Sequence, residues 1–460
     1  MDSQYNSYYF VGAGGIGMAA LERYFLSKGA RVAGYDRTPT ELTSQLAHEG
    51  VEIAFDEDPG LIPDYCRDPK QTLVVYTPAV PESHKALTYF RANGFKVVKR
   101  AEVLGVVTRQ SKGICVAGTH GKTTTSGMIA HILHNSPIGC NAFLGGVLRN
   151  YGSNFLLSGS SPYSVIEADE YDRSFHHLTP HIAVVTATDP DHLDIYGTEE
   201  AYLESFARFT ELIQPGGTLI THTGLKLKPR VADGVKIVTY SRNQGDYHAA
   251  NVRKGGGEIS FDLVAPDGGA SNVSLGAPVD INIENAVAAM AACRLAGAGY
   301  PDIKRAVATF LGAKRRFEFW LKQPGPRGRV LIDDYAHHPD ELKASISSVR
   351  DLYPGRHLSV IFQPHLYSRT RDFAGQFAQA LSLADRVILT DIYPAREEPI
   401  PGVSSQMIAN DINCPEKVVC AKCDLIDTIK CFNFDVLLTA GAGDVCDLLP
   451  QIKRALEGGT

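Results

Sequence analysis

Gly113-Ile114-Cys115-Val116-Ala117 runs directly into Gly118-Thr119-His120-Gly121-Lys122-Thr123-Thr124-Thr125, and this junction decides the fold. The first five residues form an apolar run of strand length, and a helical pattern follows the threonines. A strand that ends in a glycine turn and opens a helix is a phosphate-binding unit of a parallel α/β sheet. Glycine lets backbone N–H groups converge on phosphate oxygens, and the helix N-terminus adds positive potential. Lys122 can then reach the outer phosphates, and the Thr123 hydroxyl can ligate Mg2+. The loop is two residues shorter than the common G-x-x-x-x-G-K-[ST] pattern. An unrelated Gly-Lys-Thr turn is the competing reading, and the strand before and helix after favour nucleotide phosphate.

The same alternation extends in both directions. Upstream, Tyr8-Tyr9-Phe10-Val11 reads as a buried strand entering Gly12-Ala13-Gly14-Gly15-Ile16-Gly17. A helical pattern over Met18–Ser27 and a strand over Arg31–Tyr35, closing on Asp36, come next. Further strands are predicted at Thr72–Tyr76 and Lys96–Val98, giving a Rossmann-like unit that ends near residue 108. Downstream, strands are predicted near Tyr163–Ile166 and Ile182–Thr186 and a helix near Glu199–Ile213. A glycine-rich, β-patterned stretch from about 215 to 275 and an alanine-rich helix over Asn282–Leu295 complete that unit. A third unit starts around Gly312, with strands at Val330–Ile332, Leu358–Phe362, Val387–Leu389 and Val436–Leu438. The expected fold class is α/β in three domains. A Rossmann-like domain spans 1–108, a central P-loop-type ATPase domain 109–311, and a second Rossmann-like domain 312–460.

Composition narrows the function classes. The chain has 460 residues, 44% of them hydrophobic, enough for several cores. Lys plus Arg number 45 against 51 for Asp plus Glu, a formal net charge of -6. No basic block is present, which argues against general nucleic-acid affinity. Met1–Tyr8 shows no signal-peptide pattern, and no apolar run approaches the ~20 residues that cross a bilayer. The nine cysteines are scattered, as in a reduced cytoplasmic protein. Cys420, Cys423 and Cys431, near Cys414, lack the second pair of a zinc ribbon, so free thiols are the favoured reading.

Two more strand ends carry chemistry. Val165-Ile166 leads into Glu167-Ala168-Asp169-Glu170, and Asp189-Pro190-Asp191-His192 follows the strand at Ile182–Thr186. Acids at the C-terminal end of a parallel strand meet a ligand above the sheet. A solvated acidic loop and a turn capped by aspartates are the alternatives. Taken together, the three strand ends offer Thr123, Glu167 and His192 as metal and phosphate ligands.

These three elements resemble the central ATPase domain of the Mur ligases. The resemblance implies that Gly118, Thr119, His120, Gly121, Lys122, Thr123 and Thr124 bind ATP, with Lys122 acting in catalysis. It implies that Thr123, Glu167 and His192 hold Mg2+. Asn282 and Asn285 match the family's adenine-side asparagines. The turn Gly12, Gly14, Gly15, Gly17 and Met18, with Asp36, is similar to the element that cradles a UDP pyrophosphate. Lys314-Arg315-Arg316-Phe317-Glu318, Asp333-Asp334-Tyr335-Ala336-His337-His338-Pro339, and Phe362-Gln363-Pro364-His365 with Arg369 look like C-terminal signatures of the alanine-adding branch. For those motifs a solvated basic patch and a structural histidine pair are the alternatives. The resemblance implies that Asp334 faces the ATP ribose and that Arg316, Tyr335, His337, His365 and Arg369 face the other substrates. Arg316 and His337 join Lys122 as catalytic candidates, His337 for proton removal. The implied small-molecule substrates are UDP-N-acetylmuramate, L-alanine and ATP.

Two features depart from common family patterns. Leu366 follows His365 where many members carry arginine. No lysine occurs between Lys122 and Lys226, whereas several sister ligases use a carbamylated lysine there. That absence suits the alanine-adding branch and leaves the ligands of a second Mg2+ unspecified. The rival readings are a muropeptide-recycling ligase that attaches a tripeptide and an NAD-dependent oxidoreductase read from Gly12-x-Gly14-x-x-Gly17 and Asp36. Oligomeric state is not encoded in any of these motifs.

Overall fold

The computed structural model describes residues 5–77, 80–325, 327–395 and 397–458. Three separate sheets organise the chain. In the first, Glu52–Ala54, Arg31–Tyr35, Ser7–Val11, Thr72–Tyr76 and Lys96–Lys99 lie in that order, all parallel. Ser7–Val11 is buried along its whole length, as expected for a central strand covered on both faces. The order turns back on itself there, so the glycine turn after Val11 opens at the sheet's topological switch point.

In the second sheet Lys112–Ala117 is flanked by Ile182–Val185 on one side and Tyr163–Glu167 on the other, both parallel to it. The three strands therefore end side by side, which brings the glycine loop, Glu167 and the segment after Val185 to one edge. Asn141–Leu148 runs parallel beyond Tyr163–Glu167 and pairs antiparallel with Ser153–Leu156. The β-patterned region forms strands at Thr218–His222, Lys236–Ser241, Tyr247–Gly255, Glu258–Ala265 and Gly268–Ser274. In the third sheet Val330–Asp334, Val436–Ala440, Leu358–Phe362, Arg386–Leu389 and Glu416–Val419 are parallel. Glu318–Lys322 adds an antiparallel edge.

By packing, the chain divides into two compact units. The first contains residues 1–250, 262–273 and 283–310, and so the first sheet and most of the second. Inside it Tyr24, on the helix Ile16–Ser27, meets Phe143 and Phe155 edge-on at 5.4 and 6.4 Å. Aromatic burial of this kind contributes more per residue than any other side-chain class, and it joins the first helix to the second sheet. Lys99 adds an ion pair to Asp172 at 2.9 Å. The second unit contains residues 251–261, 274–282 and 311–460. Among the described residues no helix is long and apolar enough to cross a membrane.

Candidate active site

The loop at Gly118–Lys122 takes its shape from two glycines in the left-handed region. Gly118 has φ +142° and Gly121 φ +81°. A methyl group on Gly118 would lie 2.8 Å from the Ala187 amide nitrogen, and one on Gly121 2.6 Å from Asn285 Oδ1. Both positions therefore require glycine for backbone conformation and for space. Thr119 ties the loop down, donating its hydroxyl to the Asp189 carbonyl at 2.7 Å and meeting the Tyr202 hydroxyl at 2.9 Å. His120 is exposed, 3.9 Å from Asp189. The helix Lys122–His134 starts at Gly121 with no side-chain cap. Its first-turn N–H groups consequently have no intrahelical acceptor. Thr124 is half-buried in that turn.

Lys122 is already engaged. Its ammonium donates to the Gly118 carbonyl and to Glu170 Oε1, each at 2.7 Å. Glu170 is 1% exposed and its Oε2 has no partner. Burial pushes its carboxyl up, and Lys122 pulls it back. Glu170 belongs to the acidic run noted in the sequence, yet its tie to Lys122 could not be read there. Thr123 Oγ1 donates to Glu167 Oε1 at 3.0 Å, and the Gly145 amide donates to Glu167 Oε2 at 3.0 Å. Burial raises the Glu167 carboxyl, opposed by Gly145, Lys122 and Thr123. The fold thus brings Thr123 and Glu167 together as predicted. The contacts of His192 are with other residues, its ring edge-on to Tyr171 at 5.1 Å and 3.7 Å from Asp191. It has φ +53°, an uncommon conformation for a residue with a side chain. Among the described residues no group of three or more His, Cys, Asp or Glu side chains is clustered to hold a metal. That includes Cys414, Cys420, Cys423 and Cys431, which are free thiols. Asn285 Oδ1 accepts from Thr125 Oγ1 at 3.2 Å, under the phosphate loop.

At the N-terminal turn, Asp36 Oδ2 accepts from the Gly14 amide at 2.6 Å and Oδ1 from the Thr38 amide at 3.1 Å. Asp36 therefore holds the glycine turn in place. Gly12 and Ala13 both donate to the Tyr35 carbonyl, and Gly15 donates to Gly12. Met18 is buried.

In the second unit the site residues gather at the C-terminal edge of the third sheet. Asp334 Oδ1 accepts from the amides of Phe317 and Tyr335, each at 3.0 Å, and Oδ2 from the Ser345 hydroxyl. Arg315 and Arg316 lie over the Tyr335 ring at 4.8 and 5.5 Å. Arg315 also donates to the Gly441 carbonyl at 2.7 Å, whereas no hydrogen bond or ion pair holds the Arg316 guanidinium among the described residues. His337 Nδ1 lies 3.0 Å from the Tyr335 carbonyl. That contact requires the proton on Nδ1 and leaves Nε2 as an acceptor. Burial lowers the His337 pKa, which keeps the ring neutral and able to take a proton. Glu341 accepts from the amides of His337 and His338 and fixes this segment at the start of the helix Pro339–Leu352. Its signal in the sequence is the acid three residues after a capping position. His365 stacks on Tyr393 at 5.6 Å and lies 3.5 Å from Arg369. Leu366 has φ +70° and caps the helix Tyr367–Leu381. A leucine in this region stores backbone strain, so the departure from arginine falls at a position with its own conformational demand. Asn282 donates to the Ala277 carbonyl at 3.0 Å.

Asp333 yields a stability prediction. Its side chain is 1% exposed, accepting from Thr439 Oγ1 at 2.6 Å, with Oδ2 making no hydrogen bond but lying 3.8 Å from Arg315 Nε. Burial pushes its carboxyl up to about 6, against about 3.9 for an unfolded aspartate. The folded value is the higher one. The group's contribution to stability is thus complete below about pH 3.9 and is lost as pH rises through about 6. The loss amounts to roughly 3 kcal/mol. Denaturant titrations at several pH values between these limits should show a flatter pH dependence for Asp333→Asn. Equal slopes for variant and parent would refute the assignment.

Family models match the chain in three consecutive segments. They are the Mur ligase family catalytic domain over residues 7–112, the Mur ligase middle domain over 116–293, and the Mur ligase glutamate ligase domain over 315–446. A protein of Phocaeicola vulgatus named UDP-N-acetylmuramate–L-alanine ligase is 59% identical, covering 98% of both chains. One of the same name from Parabacteroides distasonis is 57% identical, covering 97% of this chain and 96% of that one. Among solved structures, the UDP-N-acetylmuramate-alanine ligase of Thermotoga maritima superposes with a TM-score of 0.79 at 26% identity. It covers 99% of this chain and 100% of its own.

Proposed function

Because the chain belongs to the Mur ligase family, we propose that it joins L-alanine to the carboxylate of UDP-N-acetylmuramate at the expense of ATP. The products are UDP-N-acetylmuramoyl-L-alanine, ADP and phosphate, a step of peptidoglycan precursor synthesis. The observation that carries this reading is whole-chain identity of 59% to a relative bearing that name. Relatives at 41–59% identity share the name, and the tripeptide-attaching alternative ranks below it. The oxidoreductase reading rested on one glycine spacing and Asp36, and it is not favoured beside the family assignment.

A carboxylate resists amine attack because its charge deactivates the carbon and oxide leaves poorly. Transfer of the γ-phosphoryl group to the carboxylate gives an acyl phosphate, from which phosphate departs readily. Phosphoryl transfer needs neutralisation of spreading charge more than covalent help. Lys122 and the first-turn N–H groups of its helix supply this on the protein side. Thr123 and Glu167 present hard oxygen donors 3.0 Å apart, a set that would suit Mg2+, with His192 the third ligand that the family resemblance implies. When bound, the ion would screen the phosphate charge during transfer. In the second unit Arg316 and Arg369 bind the anionic groups of the muramoyl and alanine moieties. His337 Nε2 accepts the proton that the alanine amine loses on attack. ATP supply and the nine free thiols support a cytoplasmic setting.

The test is ¹⁸O placed in the muramoyl carboxylate. One label should appear in the released phosphate, with ADP as the nucleotide product. Label in AMP, with pyrophosphate released, would show activation at the α-phosphate and overturn the mechanism. Phosphate release should follow addition of L-alanine; release with a tripeptide alone would restore the recycling reading.

A further inference from the structure

An ammonium group has three N–H donors. On Lys122 two of them are taken up inside the protein, by the Gly118 carbonyl and by Glu170 Oε1, each at 2.7 Å. One remains for a phosphate oxygen. A long, unbranched lysine side chain would otherwise sample many rotamers. The direction of that last donor therefore depends on Glu170.

Glu170 is itself held from several sides. Its backbone carbonyl accepts from the Tyr196 hydroxyl, and from the Arg173 amide at 3.0 Å. Tyr196 is buried and meets the Tyr202 ring edge-on at 4.9 Å. The Tyr202 hydroxyl lies 2.9 Å from Thr119 Oγ1. This chain of contacts leaves the phosphate loop at Lys122 and returns to it at Thr119, and all of it lies in the first compact unit. Among the described residues, Lys122 is the one donor that another residue offers to the Glu170 carboxylate, and Oε2 has none. Stability alone does not explain such a pair, since a buried ion pair seldom outperforms well-packed apolar residues of similar volume.

We propose that Glu170 is a positioning residue for phosphoryl transfer: with the Gly118 carbonyl it fixes the Lys122 ammonium so that the third N–H meets the transferring group. This role rests on the reading of Gly118–Thr125 as the ATP phosphate loop, and it adds to that site a residue that acts through Lys122. The consequence is a split between binding and turnover. The Glu170 charge opposes a polyanionic nucleotide in the ground state. The orientation it imposes matters most when charge develops in the transition state.

Glu170→Gln in the full chain tests this, because the amide keeps size and shape and loses the charge. Turnover should fall by about 10–100-fold, the scale of a misplaced catalytic group and less than removal of the lysine. ADP binding, followed by calorimetry, should be as tight as in the parent or tighter. In a Lys122→Ala background the same substitution should change turnover by less than about two-fold, since the group it acts through is gone. Should Glu170→Gln fail to fold, Glu170→Asp carries the same test. It keeps the charge but withdraws the oxygen by one methylene, so turnover should again fall with ADP binding at the parent level. Parent-like turnover in a folded Glu170→Gln would overturn the proposal. So would an equal fractional loss in both backgrounds, which would mean a role independent of Lys122. ADP binding that weakens in step with turnover would mean that Glu170 only shapes the loop, and would overturn it as well. A parent that binds no ADP, and releases no phosphate with UDP-N-acetylmuramate, L-alanine and ATP, would remove the phosphate-loop reading and the proposal with it.

Discussion

Replacing Lys122 with alanine is expected to lower turnover by about 10²–10³-fold or more, the scale of removing one preorganised group that meets transition-state charge. The structure adds a second consequence. Lys122 is the partner of Glu170, a side chain 1% exposed, and breaking a buried pair from one side leaves an uncompensated charge. Thermal stability should therefore fall as well, and loss of activity in the single variant would be ambiguous. Lys122→Ala combined with Glu170→Gln separates the effects. The double variant removes both charges, so stability should return toward that of the parent while turnover stays low. Recovery of turnover would mean that Lys122 serves the fold and not the phosphate. Near-parent turnover in a folded single variant would refute the loop assignment outright.

This double role shows where sequence reading stopped. Strand cores were legible because buried parallel strands are nearly continuous apolar runs. Arg31–Tyr35, Thr72–Tyr76 and Leu358–Phe362 have the bounds read from the sequence. Asn141–Leu148 was not predicted, since Gly145 and Gly146 interrupt its pattern. Nor was the edge strand Glu318–Lys322, which overlaps a motif read for its charges. Thr123 and Glu167 could be placed together because each ends a strand or opens a helix at one edge of a parallel sheet. The Lys122 to Glu170 pair could not, because it depends on how the chain turns after Glu167. That turn passes through Asp172 and Arg173 at φ +50° and +55°, a conformation that residue type does not announce.

Gly145 shows the same dependence on tertiary structure, and it leads to the other large effect. Its amide holds Glu167 Oε2, and a methyl group there would lie 2.5 Å from Oε1 and 2.7 Å from Oε2. Glu167 is thus fixed from one side by backbone and from the other by the Thr123 hydroxyl. A half-buried carboxylate held this firmly costs desolvation energy in the free protein, and a cation offsets that cost. Glu167→Gln keeps the side-chain shape and an oxygen for the Gly145 amide but removes the charge. It should weaken Mg2+ by about 10²-fold or more, beyond the 10–100-fold typical of losing a residue that only supports a ligand. Turnover at low Mg2+ should fall in proportion, and excess Mg2+ should restore part of it. Gly145→Ala should move the same way with Glu167 intact, because the added methyl pushes the carboxylate off its seat. A magnesium titration of turnover, with Mg2+-dependent quenching of bound fluorescent nucleotide as a second readout, distinguishes the cases. Parent-like Mg2+ dependence in Glu167→Gln would show that Glu167 only braces the Thr123 hydroxyl, and the metal would then have to be sought on other oxygens of the site, with the unpartnered Oε2 of Glu170 the first to examine.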